Sequence, residues 1–279
     1  MKYGFVIDLA DVRTIGDLAQ EAEAAGWDGV FIADAISIQV EKKVLSFFDP
    51  WVILAIIAMR TERLRFGPFI TPVPRRRPWK LASETNTIDH LSKGRLTLAV
   101  GLGAAEDDGG FCKVGEAMDL KVRAQRLDEG LAILAGLWRG KQFSFTGEHY
   151  DVKKMTMRPR TVQSPRIPVW VVGVWPKTKS MRRALQWDGI IPQHYRAGMS
   201  KIEPSDVQAI RAYITENRSA TSPFDIVIGG TTPGKSRKRA TGIVRPYAEA
   251  GATWWMESSM TLSDDKLRER INQGPPSLE

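Results

Sequence analysis

Residues 61–103, TERLRFGPFITPVPRRRPWKLASETNTIDHLSKGRLTLAVGLG, constrain the fold more than any other stretch of the chain. Two short apolar runs, residues 64–71 and 96–100, flank a segment with helical spacing. The first run ends in Pro72-Val73-Pro74-Arg75-Arg76-Arg77-Pro78, the second in Gly101-Leu102-Gly103. Short apolar runs bounded by turn residues read as buried strands, and the 3.6-residue spacing between them reads as a helix. Two strands joined through a helix pair in parallel, by a crossover. Both loops then open at the carboxyl ends of their strands, where parallel α/β folds bind ligands. One loop offers cations; the other offers bare backbone that a flat ring or a phosphate can approach closely.

The same alternation runs along the chain. Strand patterns lie at residues 3–8, 29–33, 64–71, 96–100, 167–172, 187–191, 224–228 and 253–256. Helical patterns follow at 15–25, 50–59, 79–91, 122–138, 177–186, 205–217, 236–250 and 264–271. Gly26 and Gly251 stop two of these helices, Asp49-Pro50 opens another, and Ser205 with Asp206 is expected to cap the sixth. Between the fourth and fifth strands, residues 141–157 alternate about Gly147-Glu148, the pattern of a hairpin. The prediction is an α/β fold: a single (β/α)8 TIM barrel over residues 1–274, with a short insertion between strands 4 and 5 (excursion 140–166) and a tail at 275–279. Such a barrel needs about 250 residues, and the chain has 279. A doubly wound open sheet is the alternative. Eight units and the lack of Gly-x-Gly-x-x-Gly after the first strand favour the barrel.

Lys and Arg number 40 against 32 Asp and Glu, a formal charge of +8. Such an excess suits a soluble basic surface or attracts an anionic cofactor or substrate. The densest cluster, Lys235-Ser236-Arg237-Lys238-Arg239, has no interleaved aromatics and sits where a helix should start. It reads as a solvated helical face, and no nucleic-acid partner is expected. The single cysteine, Cys112, excludes an internal disulfide and fits a reducing cytoplasm. No run of 18 apolar residues exists and a strand pattern follows Lys2 at once, so neither a membrane span nor a signal peptide is expected. His90, His149 and His194 lack ligand spacing, so no metal site is expected.

Arg76-Arg77-Pro78, then Leu91-Ser92-Lys93-Gly94-Arg95 through Gly101-Leu102-Gly103, carry a specific resemblance. They resemble the bacterial luciferase-like flavin and deazaflavin oxidoreductases. In that family the third strand leads to an Arg-x-Pro or Arg-His-Pro loop, and the next strand reads roughly L-S-x-G-R-x-x-L-G-V-G-x-G. The resemblance extends from residue 3 to about residue 257. It implies an oxidoreductase that uses reduced FMN and oxygen as a monooxygenase on a small organic substrate. Hydride transfer from reduced coenzyme F-420 is the alternative, and a flavin-binding barrel without turnover is the third. The monooxygenase reading admits a separate flavin reductase as partner. Family members commonly form dimers through early helices, so a homodimer is expected; Phe47-Phe48 and residues 52–57 are apolar enough to permit it.

Candidate site residues follow from the same loops. On pattern alone Gly101 and Gly103 fit a tight strand-to-helix turn as well as close approach of a ring. The resemblance implies the ring, with Glu106 at its edge as acid–base candidate, whereas the run Glu106-Asp107-Asp108 alone reads as solvated loop. Phe69 and Thr71 end strand three, where some family members carry a non-proline cis peptide behind the flavin. Residues 173–180 follow strand five and open a helix, whose free N–H groups can bind an anion. The resemblance places the cofactor's phosphate there, with Gly173, Trp175, Lys177, Thr178 and Ser180 around it. Asp34 ends strand two, where the family often has an acidic residue followed by His; here Ala35 follows. Asp34 therefore contacts the cofactor or caps a loop. His194, at the end of strand six, is the histidine best placed for substrate contact or catalysis. Arg75, Arg76 and Arg77 form an anion clamp or surface salt bridges.

Overall fold

The computed structural model describes residues 1–7, 10–40, 43–103, 112–194, 201–258 and 262–278, the side chains of residues 38–40, 43 and 112 excepted. In chain order the elements begin β1 (Lys2–Ile7), α1 (Ile15–Ala24), β2 (Gly29–Ile32), β3 (Ser37–Val40), β4 (Lys43–Ser46) and α2 (Pro50–Arg60). They continue β5 (Arg65–Pro68), β6 (Thr71–Pro72), α3 (Pro78–Leu91), β7 (Leu98–Gly101), α4 (Leu120–Trp138), β8 (Phe143–Thr146) and β9 (Asp151–Met155). The last are β10 (Val169–Trp175), α5 (Thr178–Leu185), β11 (Gly189–His194), α6 (Pro204–Asn217), β12 (Asp225–Gly230), α7 (Arg237–Ala250), β13 (Trp254–Ser258) and α8 (Asp264–Asn272). They form two compact units, the first made of Met1–Phe31, Arg63–Arg65 and Val169–Glu279, the second of Ile32–Glu62 and Phe66–Pro168.

In the first unit the strands run in the order β2, β1, β13, β12, β11, β10. The printed ladders between β1 and β13, β13 and β12, β12 and β11, and β11 and β10 are all parallel. Side chains alternate across each strand. On one face Phe31 of β2 stacks on Trp170 of β10 with ring centres 5.4 Å apart, and Trp254 of β13 lies 6.0 and 5.2 Å from them. The two outermost strands thus meet over one tryptophan, so the sheet is strongly curled. Glycines leave room for the rings: a Cβ on Gly189 would lie 2.5 Å from Trp170, and one on Gly29 would lie 2.9 Å from the Phe31 ring and 3.3 Å from Trp254. On the opposite face Trp255 packs against Tyr247 of α7 at 5.4 Å. The expected stop at Gly251 is present, with φ of 110°. The expected cap of α6 is corrected. Pro204 occupies the first turn and Glu203 the N-cap, so Asp206 sits at the third helical position and accepts the Glu203 backbone N–H at 2.8 Å.

In the second unit the run expected as one strand, residues 64–71, is two. Phe66 of β5 bridges Leu96 and Thr71 of β6 pairs with Val100 of β7, both in parallel. Between β5 and β6 the Phe69–Ile70 peptide bond is cis. The expected hairpin is β8–β9, and a second antiparallel hairpin, β3–β4, was not anticipated. Arg95 of the Ser-Lys-Gly-Arg string binds the end of α2, donating to Ala58 O at 2.8 Å, Thr61 O at 2.7 Å and Thr61 Oγ1 at 2.8 Å. It also lies over the Phe66 ring at 5.2 Å. A cation on the last carbonyls of a helix satisfies groups that have no partner within the helix. Buried Asp89 fastens the segment after the β8–β9 hairpin by accepting the amides of Val162 at 2.7 Å and Gln163 at 3.1 Å. No helix of the described residues is long and apolar enough to cross a membrane.

Candidate functional site

In the second unit the loops after β2 and β6 converge on Asp34. Its buried carboxylate accepts Thr71 Oγ1 at 2.7 Å, Arg75 Nη2 at 3.1 Å and Arg76 Nη2 at 2.6 Å. Asp49, which caps α2 through the Trp51 and Val52 amides, lies 3.9 Å from Arg76 Nη1. Two of the three loop arginines are therefore drawn onto a carboxylate with a side chain only 1% exposed. The sequence left open whether Asp34 touches a ligand or braces a loop; in this structure it braces. Arg76 Nε and Trp51 Nε1 are buried and have no hydrogen-bond acceptor among the described residues. Phe69 is half-buried, and its amide donates to Ile32 O at 2.7 Å.

Gly101 ends β7, and Gly103 has φ of 79°, a conformation open to glycine at little cost. Arg123 of α4 holds this loop, donating from Nη1 to Gly103 O at 2.6 Å and Leu102 O at 3.4 Å. Sequence reasoning missed Arg123. The signal was there: it lies four residues before Leu127 on the buried stripe of α4, where a charge needs a partner. Glu106 lies outside the described residues.

In the first unit β10 runs on to Trp175, so Gly173 is inside a strand and not in a loop. A Cβ there would lie 2.8 Å from Ile190 Cγ1 and 3.4 Å from Met181 Sδ, so the missing side chain makes room for the β11 and α5 packing. Trp175 packs edge-on against Tyr213 of α6 at 6.0 Å. The turn into α5 closes on itself: Lys177 N donates to Val174 O at 2.7 Å and Ser180 Oγ accepts from Val174 N at 2.9 Å. Lys177 stands at the N-cap without a side-chain cap and Thr178 begins the helix, both exposed. The first-turn amides of α5 thus have no capping side chain. His194 ends β11 opposite Trp175, with Nε2 3.1 Å from Asp206 Oδ2. Alternation turns Gln193 to the other face. His90 and His149 are occupied elsewhere, by Arg160 O at 2.8 Å and Gln125 Oε1 at 3.2 Å.

The ends of β12 and β13 hold a buried polar network that the sequence did not announce. Glu257 accepts Thr232 N at 2.6 Å, Thr232 Oγ1 at 2.9 Å and Trp255 Nε1 at 3.0 Å, and Arg270 Nε lies 3.5 Å away. Arg270 Nη2 donates to Thr232 Oγ1 at 2.9 Å. Burial pulls the Arg270 pKa down, and the Glu257 charge and hydrogen bond oppose it. Among the described residues no group of His, Cys, Asp and Glu is arranged to hold a metal.

A sequence profile of the family described as luciferase-like monooxygenase matches residues 5–269. An uncharacterized protein of Mycobacterium tuberculosis is 29% identical over 262 residues, 87% of this chain and 87% of its own length. The oxygenase component of a flavin-dependent trigonelline monooxygenase from Acinetobacter baylyi is 31% identical over 123 residues, 44% of this chain and 33% of its own length. Among solved structures, an F-420-dependent secondary alcohol dehydrogenase in complex with an F-420–acetone adduct superposes with a TM-score of 0.78 at 15% identity, covering 99% of this chain and 98% of its own. The fold is α/β, the (β/α)8 barrel expected from the sequence.

The packing of Gly173 is testable. Gly173→Ala should lower stability by about 1–3 kcal/mol, the usual cost of an extra carbon in a filled core. Ile190→Ala in the same chain should cost less than the sum of the two single changes, measured by urea denaturation. Strict additivity would mean that the two side chains do not compete for one space.

Proposed function

The chain belongs to the luciferase-like monooxygenase family, and we propose that it is an oxidoreductase that binds a phosphate-bearing flavin-type carrier, FMN or coenzyme F-420, and acts on a small organic substrate. The observation that carries this proposal is the uncapped first turn of α5, with Thr178 at its start and Lys177 beside it. Free amides at a helix N-terminus favour an anion, and a hydroxyl and a cation add to them. Arg76 Nε and Trp51 Nε1, two buried donors without acceptors, suit the carbonyl and ring-nitrogen acceptors of such a carrier. When bound, the carrier supplies a hydride or, in the FMN case, the electrons that activate oxygen.

The chain's own residues then have distinct tasks. Thr178 and Lys177 hold the phosphate. Ser180 keeps the end of β10 in place through Val174. The Gly101–Gly103 loop, pinned by Arg123, admits the ring at close range, with Phe69 and Thr71 supporting it. Glu106 moves a proton near the ring. His194, held through Asp206, contacts the substrate. Two routes remain within this proposal. Hydride transfer from reduced F-420 is supported by the end-to-end match to the alcohol dehydrogenase; monooxygenation with reduced FMN from a separate reductase is supported by the trigonelline enzyme. We further propose a homodimer. Val52 and Met59 leave an apolar stripe of α2 64% and 68% exposed, next to Phe48 at 55%.

Four measurements check these proposals. Absorption titration of the purified chain with FMN and with F-420, each oxidised and reduced, should show one of them binding well below millimolar. Neither doing so would overturn the cofactor assignment. Thr178→Ala should weaken the bound carrier by about 1–3 kcal/mol, the scale of charge-assisted hydrogen bonds. Glu106→Gln should leave carrier affinity nearly unchanged and slow turnover by about 10²–10⁴-fold, with the acidic limb of the pH–rate profile displaced. An unchanged profile at near-normal turnover removes Glu106 from the chemistry. Light scattering should give twice the chain mass, falling to one chain mass for Val52→Glu with Met59→Glu; a monomeric parent chain refutes the dimer.

A further inference from the structure

The connection from β12 to α7 reads Gly229-Gly230-Thr231-Thr232-Pro233-Gly234-Lys235-Ser236. It fits Gly-x-x-x-x-Gly-Lys-Ser/Thr, a pattern that cradles phosphate when it joins a strand to a helix. That context is met: β12 ends at Gly230, Ser236 is the N-cap of α7, and the helix begins at Arg237. A match of this length also arises by chance, so the surroundings must decide.

The loop lines a cavity of about 600 Å³, a volume typical of small-molecule sites. Lys235, Lys266, Arg270, Glu257, Pro233 and Leu262 are among its lining residues. The Lys235–Glu269 pair, at 3.0 Å, is 82% and 52% exposed, so it is loose and exchangeable. Lys266 has no ion-pair partner among the described residues. Arg270 is 9% exposed, and its Nε faces the Glu257 carboxylate at 3.5 Å. Lys235, Lys266 and Arg270 outnumber Glu257 and Glu269 by one positive charge.

We propose that this cavity binds a small organic molecule through a phosphate group. The phosphate lies at the 231–235 loop, with the Thr231 hydroxyl, Lys235 and Lys266 as its partners, and the organic part rests against Pro233 and Leu262. The cavity is a different place from the start of α5. Thr232 and Glu257 join Trp255 on the side of the strands opposite Trp254. The inference does not rest on the flavin proposal.

Calorimetry on the full chain at low ionic strength, with inorganic phosphate, pyrophosphate and ADP as probes and sulfate as control, tests it. The expected result is one-to-one binding with ADP tightest and sulfate weakest. Lys235→Ala and Lys266→Ala should each weaken ADP about tenfold, and Lys266→Glu should weaken it further. Both lysines are exposed, so the variants keep the fold. FMN and F-420 titrations should be unchanged in them, and Thr178→Ala should leave ADP binding unchanged. Pyrophosphate binding as tightly as ADP would remove the organic part from the proposal. No binding of any probe at about 10 mM, indifference to both lysine variants, or loss of ADP binding in Thr178→Ala would overturn it.

Discussion

Trp254, held between Phe31 and Trp170, is the contact on which the arrangement of the first unit depends. The three rings bring the outermost strands of a six-strand order together on one face. Large aromatic side chains bury enough apolar surface to stabilise by about 1.5–3 kcal/mol each, and the glycines opposite them keep that volume clear. Once Trp254 is committed to that face, strand alternation commits Trp255 and Glu257 to the other. The buried Glu257–Thr232–Arg270 network is therefore a product of register as much as of chemistry.

The second unit is organised by charges that the chain satisfies with its own groups. Arg95 closes the end of α2, Arg123 grips the glycine loop, and Asp34 gathers Thr71, Arg75 and Arg76. Each is a long or charged side chain at the end of an element, where backbone groups or a second charge need a partner. A formal charge of +8 thus misdescribes the loop after β6, where two of its cations face a carboxylate.

The eight α-helices among the described residues and the parallel strands were legible because apolar spacing is a local signal. Val169 through Val172 could be read as strand at sight, and so could the stripe of Leu127, Leu131 and Leu134. The errors arose where two local signals compete. Gly173 looks like the start of a loop, yet β10 continues because Ile190 fills the space over it. Ser205 and Asp206 are good capping residues, yet Pro204 starts the helix before them. The β3–β4 hairpin was missed because the sequence between its strands, Glu41-Lys42, has none of the glycine, proline, asparagine or aspartate that marks a turn. At the candidate site, the loops were readable and their bracing was not. Arg123 reaches Gly103 across 20 positions and Thr232 reaches Glu257 across 25, distances over which sequence pattern carries no signal.

Asp34 also bears on how this loop can diverge. Its carboxylate is shared by a threonine from β6 and two arginines from the following turn. Removing it alone would take the shared carboxylate from two guanidinium groups whose side chains are 8% and 20% exposed, a change costing several kcal/mol. Replacing either arginine alone leaves the carboxylate with its other donors and is far milder. Substitution here is therefore asymmetric: either arginine can change while the carboxylate keeps its other donors, whereas loss of the aspartate is costly while both arginines remain.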